Sequence, residues 1–204
     1  MTMRTRRALG AGVSLLLLTS CAHTPRPAAD GGAAYAIVVR HAEKAPTPVN
    51  DPVLSASGMA RAAALDSLIG GDGVRDVVVS HLQRTRLTAS VFIARTSPVV
   101  HVVPIGASGT AAHIQAVADT VRAIARHRGR GGILVVGHSN TVTQIVAALG
   151  AGAPRALCDS QYSQLFRVAL PAAGPATLTR RSYGAADPAD TTCAQSLPGM
   201  LPTR

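Results

Sequence analysis

Four short runs with apolar cores limit what this chain can become: "YAIVVR" at 35–40, "VRDVVVS" at 74–80, "VVHVV" at 99–103 and "GGILVVGH" at 131–138. Each is rich in β-branched residues and too short for a stable helix, so each reads as a strand. Between them lie stretches with apolar residues at helical spacing. Over 55–69 these are Met59, Ala62, Ala63, Leu65, Leu68 and Ile69, with Ser55 or Ser57 available to cap. Further helices are expected over 82–95, about 110–127 and 140–149, the last closed by Gly150. Two more strands, 163–170 and 176–183, form a closing pair, and the remainder from Gly184 reads as an irregular tail.

Strands that alternate with helices, and whose cores are apolar, predict an α/β fold with three α/β/α layers around a mainly parallel central sheet. In such sheets ligands bind beyond the carboxyl ends of the strands. The polar residues that follow the apolar runs fall there: Arg40-His41 after the first, Ser80 to Arg84 after the second, and His138-Ser139-Asn140 after the fourth. No internal repeat is apparent.

The chain has 204 residues, a natural length for one domain with tails. Its formal charge of +10 would suggest nucleic acid or anionic membranes if it were clustered, but Arg4, Arg6 and Arg7 belong to the N-terminal segment, and without them +7 remains. The densest remaining run, "RAIARHRGR" at 122–130, suits the end of a helix, where cations complement the macrodipole. Two Phe, three Tyr and no Trp offer little on which to stack bases, so no nucleic acid partner is expected.

The N-terminus, "MTMRTRRALGAGVSLLLLTSCAH", has a basic start, an apolar run of about ten residues and then small residues. That run is well short of the ~20 residues that span a bilayer, and the pattern is that of a secretory signal. Leu18-Thr19-Ser20-Cys21 resembles a bacterial lipobox, with Cys21 as the lipidation site, against the plainer reading of a signal peptide with an incidental cysteine. The expected organisation is a signal segment 1–21, a flexible Pro/Gly-rich tether 22–34, a catalytic domain 35–183 and a tail 184–204. Such a protein would be exported and lipid-anchored in the bacterial envelope, facing the periplasm or the cell surface. Cys158 and Cys193 could then close a disulfide contributing roughly 3–4 kcal/mol, or remain two free thiols.

Three strand ends thus supply two histidines, two arginines and further polar groups. An arginine fork matches phosphate oxygens bidentately. A histidine flanked by guanidiniums has its pKa lowered and keeps a free lone pair at neutral pH, as a nucleophile must. A second histidine across a bound anion could donate to it. These parts suit phosphoryl transfer resting on positioning and charge stabilisation, with no cofactor and no metal.

The segments "VVRHAEK", "LSASGMARA" (54–62), "SHLQRTRLTA" (80–89) and "GHSN" (137–140) resemble, in order, the four signature segments of the histidine phosphatase superfamily, also called phosphoglycerate-mutase-like. The likeness runs from 35 to about 170. It implies that His41 becomes a phosphohistidine and that Arg40, Arg84 and His138 hold the phosphoryl oxygens, with Ser80 and Asn140 behind them. Many members carry a general acid after the third strand, but here that segment, "PIGASGTAAH", has no carboxylate. Glu43, the only glutamate in the chain, is the tentative proton donor and Asp51 the other candidate. The short segment also favours hydrolysis over mutase chemistry. The expected substrate is a small phosphorylated compound or a phosphorylated envelope glycolipid.

Other residues have plainer readings. His81, His101, His113 and His127 are expected to be surface or structural, Arg61 and Arg86 to be solvated or paired, and Gly58 to permit a close helix approach. "GHSNT" resembles a serine-hydrolase elbow with Ser139 as nucleophile, but Thr141 stands where that motif needs glycine. "HAE" opens like a zinc deaminase, yet no P-C-x-x-C follows. A catalytically idle phosphate- or partner-binding lipoprotein is the rival from another class.

Overall fold

The computed structural model describes residues 33–189. The signal segment with Cys21, most of the tether, and Cys193 lie outside the described residues. The elements are β1 (Ala34–Arg40), α1 (Ala56–Ile69), β2 (Val74–Val79), α2 (Gln83–Thr88), α3 (Ser90–Thr96), β3 (Val99–Val102), α4 (Gly109–Arg128), β4 (Gly131–Gly137), α5 (Val142–Ala148), β5 (Gln164–Leu170) and β6 (Thr177–Ser182).

The strands form one sheet in the order β3-β2-β4-β1-β5-β6. β3, β2, β4 and β1 are mutually parallel, whereas β5 runs antiparallel to β1 and β6 antiparallel to β5. The apolar strand cores follow from burial on both faces. Along β1, Ala36 and Val38 pack with Ile114, Val121, Ile145 and Phe166, while Tyr35, Ile37 and Val39 pack with Leu65, Ile69 and Phe92. Alternate residues thus serve opposite layers, α4 and α5 on one side and α1 and α3 on the other. The edge strand β3 departs from this pattern: Val99 and Val102 are about half exposed, at 49% and 50%.

The helix expected over 82–95 is divided at Ala89 into α2 and α3. Hydroxyl side chains compete for its backbone carbonyls: Thr88 Oγ1 donates to Arg84 O and Ser90 Oγ to Leu87 O. Such back-bonding bends a helix, and here Thr88 Oγ1 also accepts the Ala42 amide across the site at 2.8 Å. Among the described residues no helix is long and apolar enough to cross a membrane.

Candidate active site

The parallel register brings the two histidines together. Arg40 faces Gly137 across the β1–β4 ladder, so the next residue of each strand, His41 and His138, emerges at the same level. The ladder continues for one more bond, from His41 N–H to Gly137 O at 2.9 Å. The two ring centroids are 5.3 Å apart with the planes at 62°, and both residues are buried. On the other side of β4, Val79 of β2 faces Val136, so Ser80 stands level with Gly137, one residue before His138. Ser80 Oγ lies 3.1 Å from His138 Nε2.

His41 Nδ1 lies 2.8 Å from Ala42 O. A carbonyl can only accept, so Nδ1 carries the proton and Nε2 keeps its lone pair. Burial first, then the charges of Arg40, Arg84 and Lys44, push the His41 imidazole down to about 3 against the opposing pull of the Ala42 bond. Burial likewise pushes His138 down to about 3, with His41, Arg84, His113 and Arg40 adding to the shift. Both rings are neutral at physiological pH.

Arg40 is buried and held by a loop from the far end of the chain. Its Nη1 donates to Cys158 O, Asp159 O and Gln161 O, each at 2.9 Å. The Tyr162 ring stacks on its guanidinium at 4.0 Å. Nη2 lies 3.5 Å from Asp159 Oδ1, but that carboxylate is 94% exposed. Nε is buried with no partner among the described residues. Cys158 is disulfide-bonded, and its partner lies outside the described residues. The loop is pinned by Asp187, whose carboxylate accepts from Tyr162 N, Ser163 N and Ser163 Oγ at 2.7–2.8 Å. Arg84, half-buried on α2, bears electrostatically on both histidines.

The "LSASGMARA" segment builds a seat for Glu43. Ser55 caps α1 by accepting from Gly58 N at 3.1 Å, and its own N–H donates to Glu43 O at 2.9 Å. A Cβ at Gly58 would fall 2.1 Å from Glu43 O, so only glycine allows this approach. Arg61, 3% exposed, donates from Nε to both Glu43 oxygens at 3.0 Å and from Nη2 to Oε1 at 2.7 Å. Its Nη1 donates to Tyr183 O. Asp51 is instead placed beside Arg84: its Oδ1 accepts from Gln83 N at 2.9 Å, and its charge bears on Arg84.

Of the remaining expected groups, Asn140 is exposed, and Ser139 Oγ donates to Asp159 Oδ1 at 3.1 Å. His81 is exposed and accepts from Ile105 N, while His113 is buried and donates from Nδ1 to Pro104 O. Among the described residues no group of three or more His, Cys, Asp or Glu side chains could hold a metal ion. The sequence reading missed the 158–162 loop and Asp187. Only Tyr162, one of three tyrosines, gave any local signal, because these residues meet Arg40 through separations of about 120 positions.

Residues 36–106 match the model of the histidine phosphatase superfamily (branch 1), a span that includes His41 and Arg84 and ends before His138. The fold is similar to that of the protein histidine phosphatase SixA complexed with tungstate, with a TM-score of 0.59 and 20% identity over 72% of this chain and 96% of that one. It is also similar to phosphoserine phosphatase from Entamoeba histolytica in complex with 3-phosphoglyceric acid, at TM-score 0.55 and 15% identity over 75% and 98% of the two chains. The alpha-ribazole phosphatase from Shigella flexneri gives 0.55 and 18% over 74% and 96%. No curated protein sequence gives a significant match. At these identities the structural likeness is one of fold, and the family match rests on the N-terminal half of the domain.

Proposed function

We propose that this chain is a phosphatase of the histidine phosphatase superfamily that hydrolyses a phosphomonoester or phosphoanhydride through a phosphohistidine on His41. The observation that carries this reading is the protonation of His41: buried among cations, tied by Nδ1–H to Ala42 O, it holds the Nε2 lone pair in a site electrostatically suited to an anion. Nε2 attacks phosphorus, the bond from phosphorus to the leaving oxygen breaks, and the pair of electrons leaves with that oxygen. Water then attacks the phosphohistidine, the N–P bond breaks, and inorganic phosphate departs. Arg84 and the unpartnered Arg40 Nε–H stabilise the equatorial oxygens in both steps.

The proton for the leaving group comes from Asp51 in this reading, in preference to Glu43. Glu43 commits both carboxylate oxygens to the buried Arg61 guanidinium, so neither is turned to a leaving group. Asp51 stands at the mouth of the site beside Arg84. Substrates with good leaving groups need neither. The solved structures of similar fold are of phosphatases, one of them holding 3-phosphoglyceric acid, which supports a small phosphorylated substrate. Export and a lipid anchor at Cys21 belong to the same reading and rest on residues 1–34 alone.

The full-length protein in detergent should hydrolyse an activated aryl phosphate without added metal, and His41→Ala should abolish turnover. Activity retained in His41→Ala but lost in Ser139→Ala would overturn the reading in favour of a serine hydrolase. Binding of tungstate without turnover of any phosphoester would instead indicate an idle binding protein. In pH–rate profiles, Asp51→Asn should lose the acid-dependent limb only for poor leaving groups, and Glu43→Gln should keep it. Labelling with radioactive palmitate should mark the wild type and leave Cys21→Ala unmarked.

A further inference from the structure

Behind His138 lies a chain of hydroxyl groups whose protons can be counted. Thr85 Oγ1 lies 2.9 Å from Leu82 O and 3.2 Å from Ser80 O. Carbonyl oxygens cannot donate, and two oxygens this close with no proton between them repel, so the single Thr85 proton is spent on the backbone. Thr85 Oγ1 also lies 3.0 Å from Ser80 Oγ. With the Thr85 proton already committed, Ser80 must donate this bond. Ser80 Oγ then has only lone pairs left, and it accepts from Leu82 N at 3.3 Å and from His138 Nε2 at 3.1 Å. Ser80 is 1% exposed and Thr85 fully buried, so water does not compete for these bonds.

We infer that Thr85, acting through Ser80, fixes neutral His138 as the tautomer with its proton on Nε2, leaving Nδ1 as the one nitrogen of that ring able to gain or release a proton during phosphoryl transfer. The inference rests on the phosphatase reading above for its catalytic meaning. Thr85 and Ser80 are positioning residues, with His138 the group that meets the phosphoryl oxygens. The arrangement is complementary to that of His41, where the Ala42 carbonyl holds the proton on Nδ1 and frees Nε2. The backbone thus dictates opposite tautomers to two facing histidines, one directly and one through two hydroxyls. The charged and titratable groups bearing on His138 are His41 and Arg40 from the end of β1, Arg84 from α2 and His113 from α4. None of these touches its Nε2, whose recorded partner is Ser80.

The test is nitrogen NMR of the full-length protein labelled with ¹⁵N-histidine at neutral pH, read together with steady-state turnover. Wild type and Thr85→Ser should both show neutral His138 protonated on Nε2. Thr85→Val frees the Ser80 proton to point at Nε2, so His138 should shift toward the Nδ1–H tautomer. The kcat of this variant should fall roughly 10- to 100-fold, by analogy with the loss on removing an outer partner of a metal-ligating histidine, and Thr85→Ser should restore it. If Thr85→Val does not fold, Ser80→Ala provides the same comparison, because it removes the acceptor of Nε2–H. A wild-type His138 protonated on Nδ1 would overturn the inference, as would a tautomer and kcat unchanged in both variants. If wild type turns over no phosphoester, the phosphatase reading fails while the NMR result still decides the tautomer.

Discussion

Two arginines lie almost fully buried within one shell of the strand ends, yet they are held in opposite ways. Arg61 is gripped by a carboxylate: three of its contacts go to Glu43, and its charge is cancelled where it sits. Arg40 is gripped by three neutral carbonyls and an aromatic face, and the nearest carboxylate, Asp159, stands in solvent at 3.5 Å. Carbonyl dipoles and a π face orient a guanidinium without neutralising it, so Arg40 keeps its field, which the proposed reading assigns to an incoming anion. Burial alone does not separate the two arginines; the presence of a cancelling charge does.

The sharpest way to break this comparison is to exchange the headgroups. Arg40→Lys keeps the charge but cannot reproduce the fork or the stack, so kcat/KM should fall roughly 10²–10³-fold, as for loss of one preorganised anion donor. The variant should remain folded by circular dichroism, and near wild-type kinetics would mean that Arg40 only braces the loop.

The burial of the two histidines, with the cations beside them, should also appear in the pH dependence of stability. For His41 and His138 the folded values lie near 3, below the unfolded value, so the unfolded state binds more protons as pH falls below about 6.5. The stabilising contribution is full above the unfolded value and is lost as pH falls toward 3, at up to about 1.4 kcal/mol per pH unit for each ring. Urea unfolding between pH 7 and 4 should show this slope, and His138→Gln should reduce it. A slope unchanged in that variant would place the proton uptake elsewhere.

On the Arg61 side the expected effect is on stability. Glu43→Ala strands a buried guanidinium and should cost about 3 kcal/mol. Arg61→Met combined with Glu43→Leu should recover part of that loss, because no lone charge remains. Gly58→Ala drives a Cβ into Glu43 O and should cost about 2 kcal/mol by overpacking. The smallest effect belongs to Asp159→Asn. An exposed ion pair contributes about 1 kcal/mol or less, so KM for an aryl phosphate should shift by only a few fold. A larger shift would mean that Asp159 cancels more of the Arg40 charge than its exposure allows.

Much of this arrangement is legible from local pattern. The strand runs at 35–40, 74–80 and 131–138 are visible because burial on both faces keeps their interiors largely apolar, Arg75 and Asp76 near the start of β2 being the exceptions. Once those strands are parallel neighbours, Arg40-His41, Ser80 and His138 must converge, since Arg40 closes its strand and the other three each follow the last residue of theirs. The break at Ala89 was not legible, because helical spacing continues through it and only the back-bonding of Thr88 and Ser90 divides it. The exposure of β3 was equally hidden, since an edge position is a property of the sheet order and not of the run.

The sequence by itself determined which residues stand at the strand ends, because strand and helix signals are short-range. Only the tertiary structure decided what each one is worth. It tied Glu43 to Arg61, wrapped the 158–162 loop around Arg40, and threaded Ser80 and Thr85 behind His138. The physical reason is that a charge or a tautomer is set by burial and by the groups within hydrogen-bond and ion-pair reach, roughly 3–6 Å, and the partners of Arg40 and the Tyr183 partner of Arg61 are supplied by chain more than one hundred residues away.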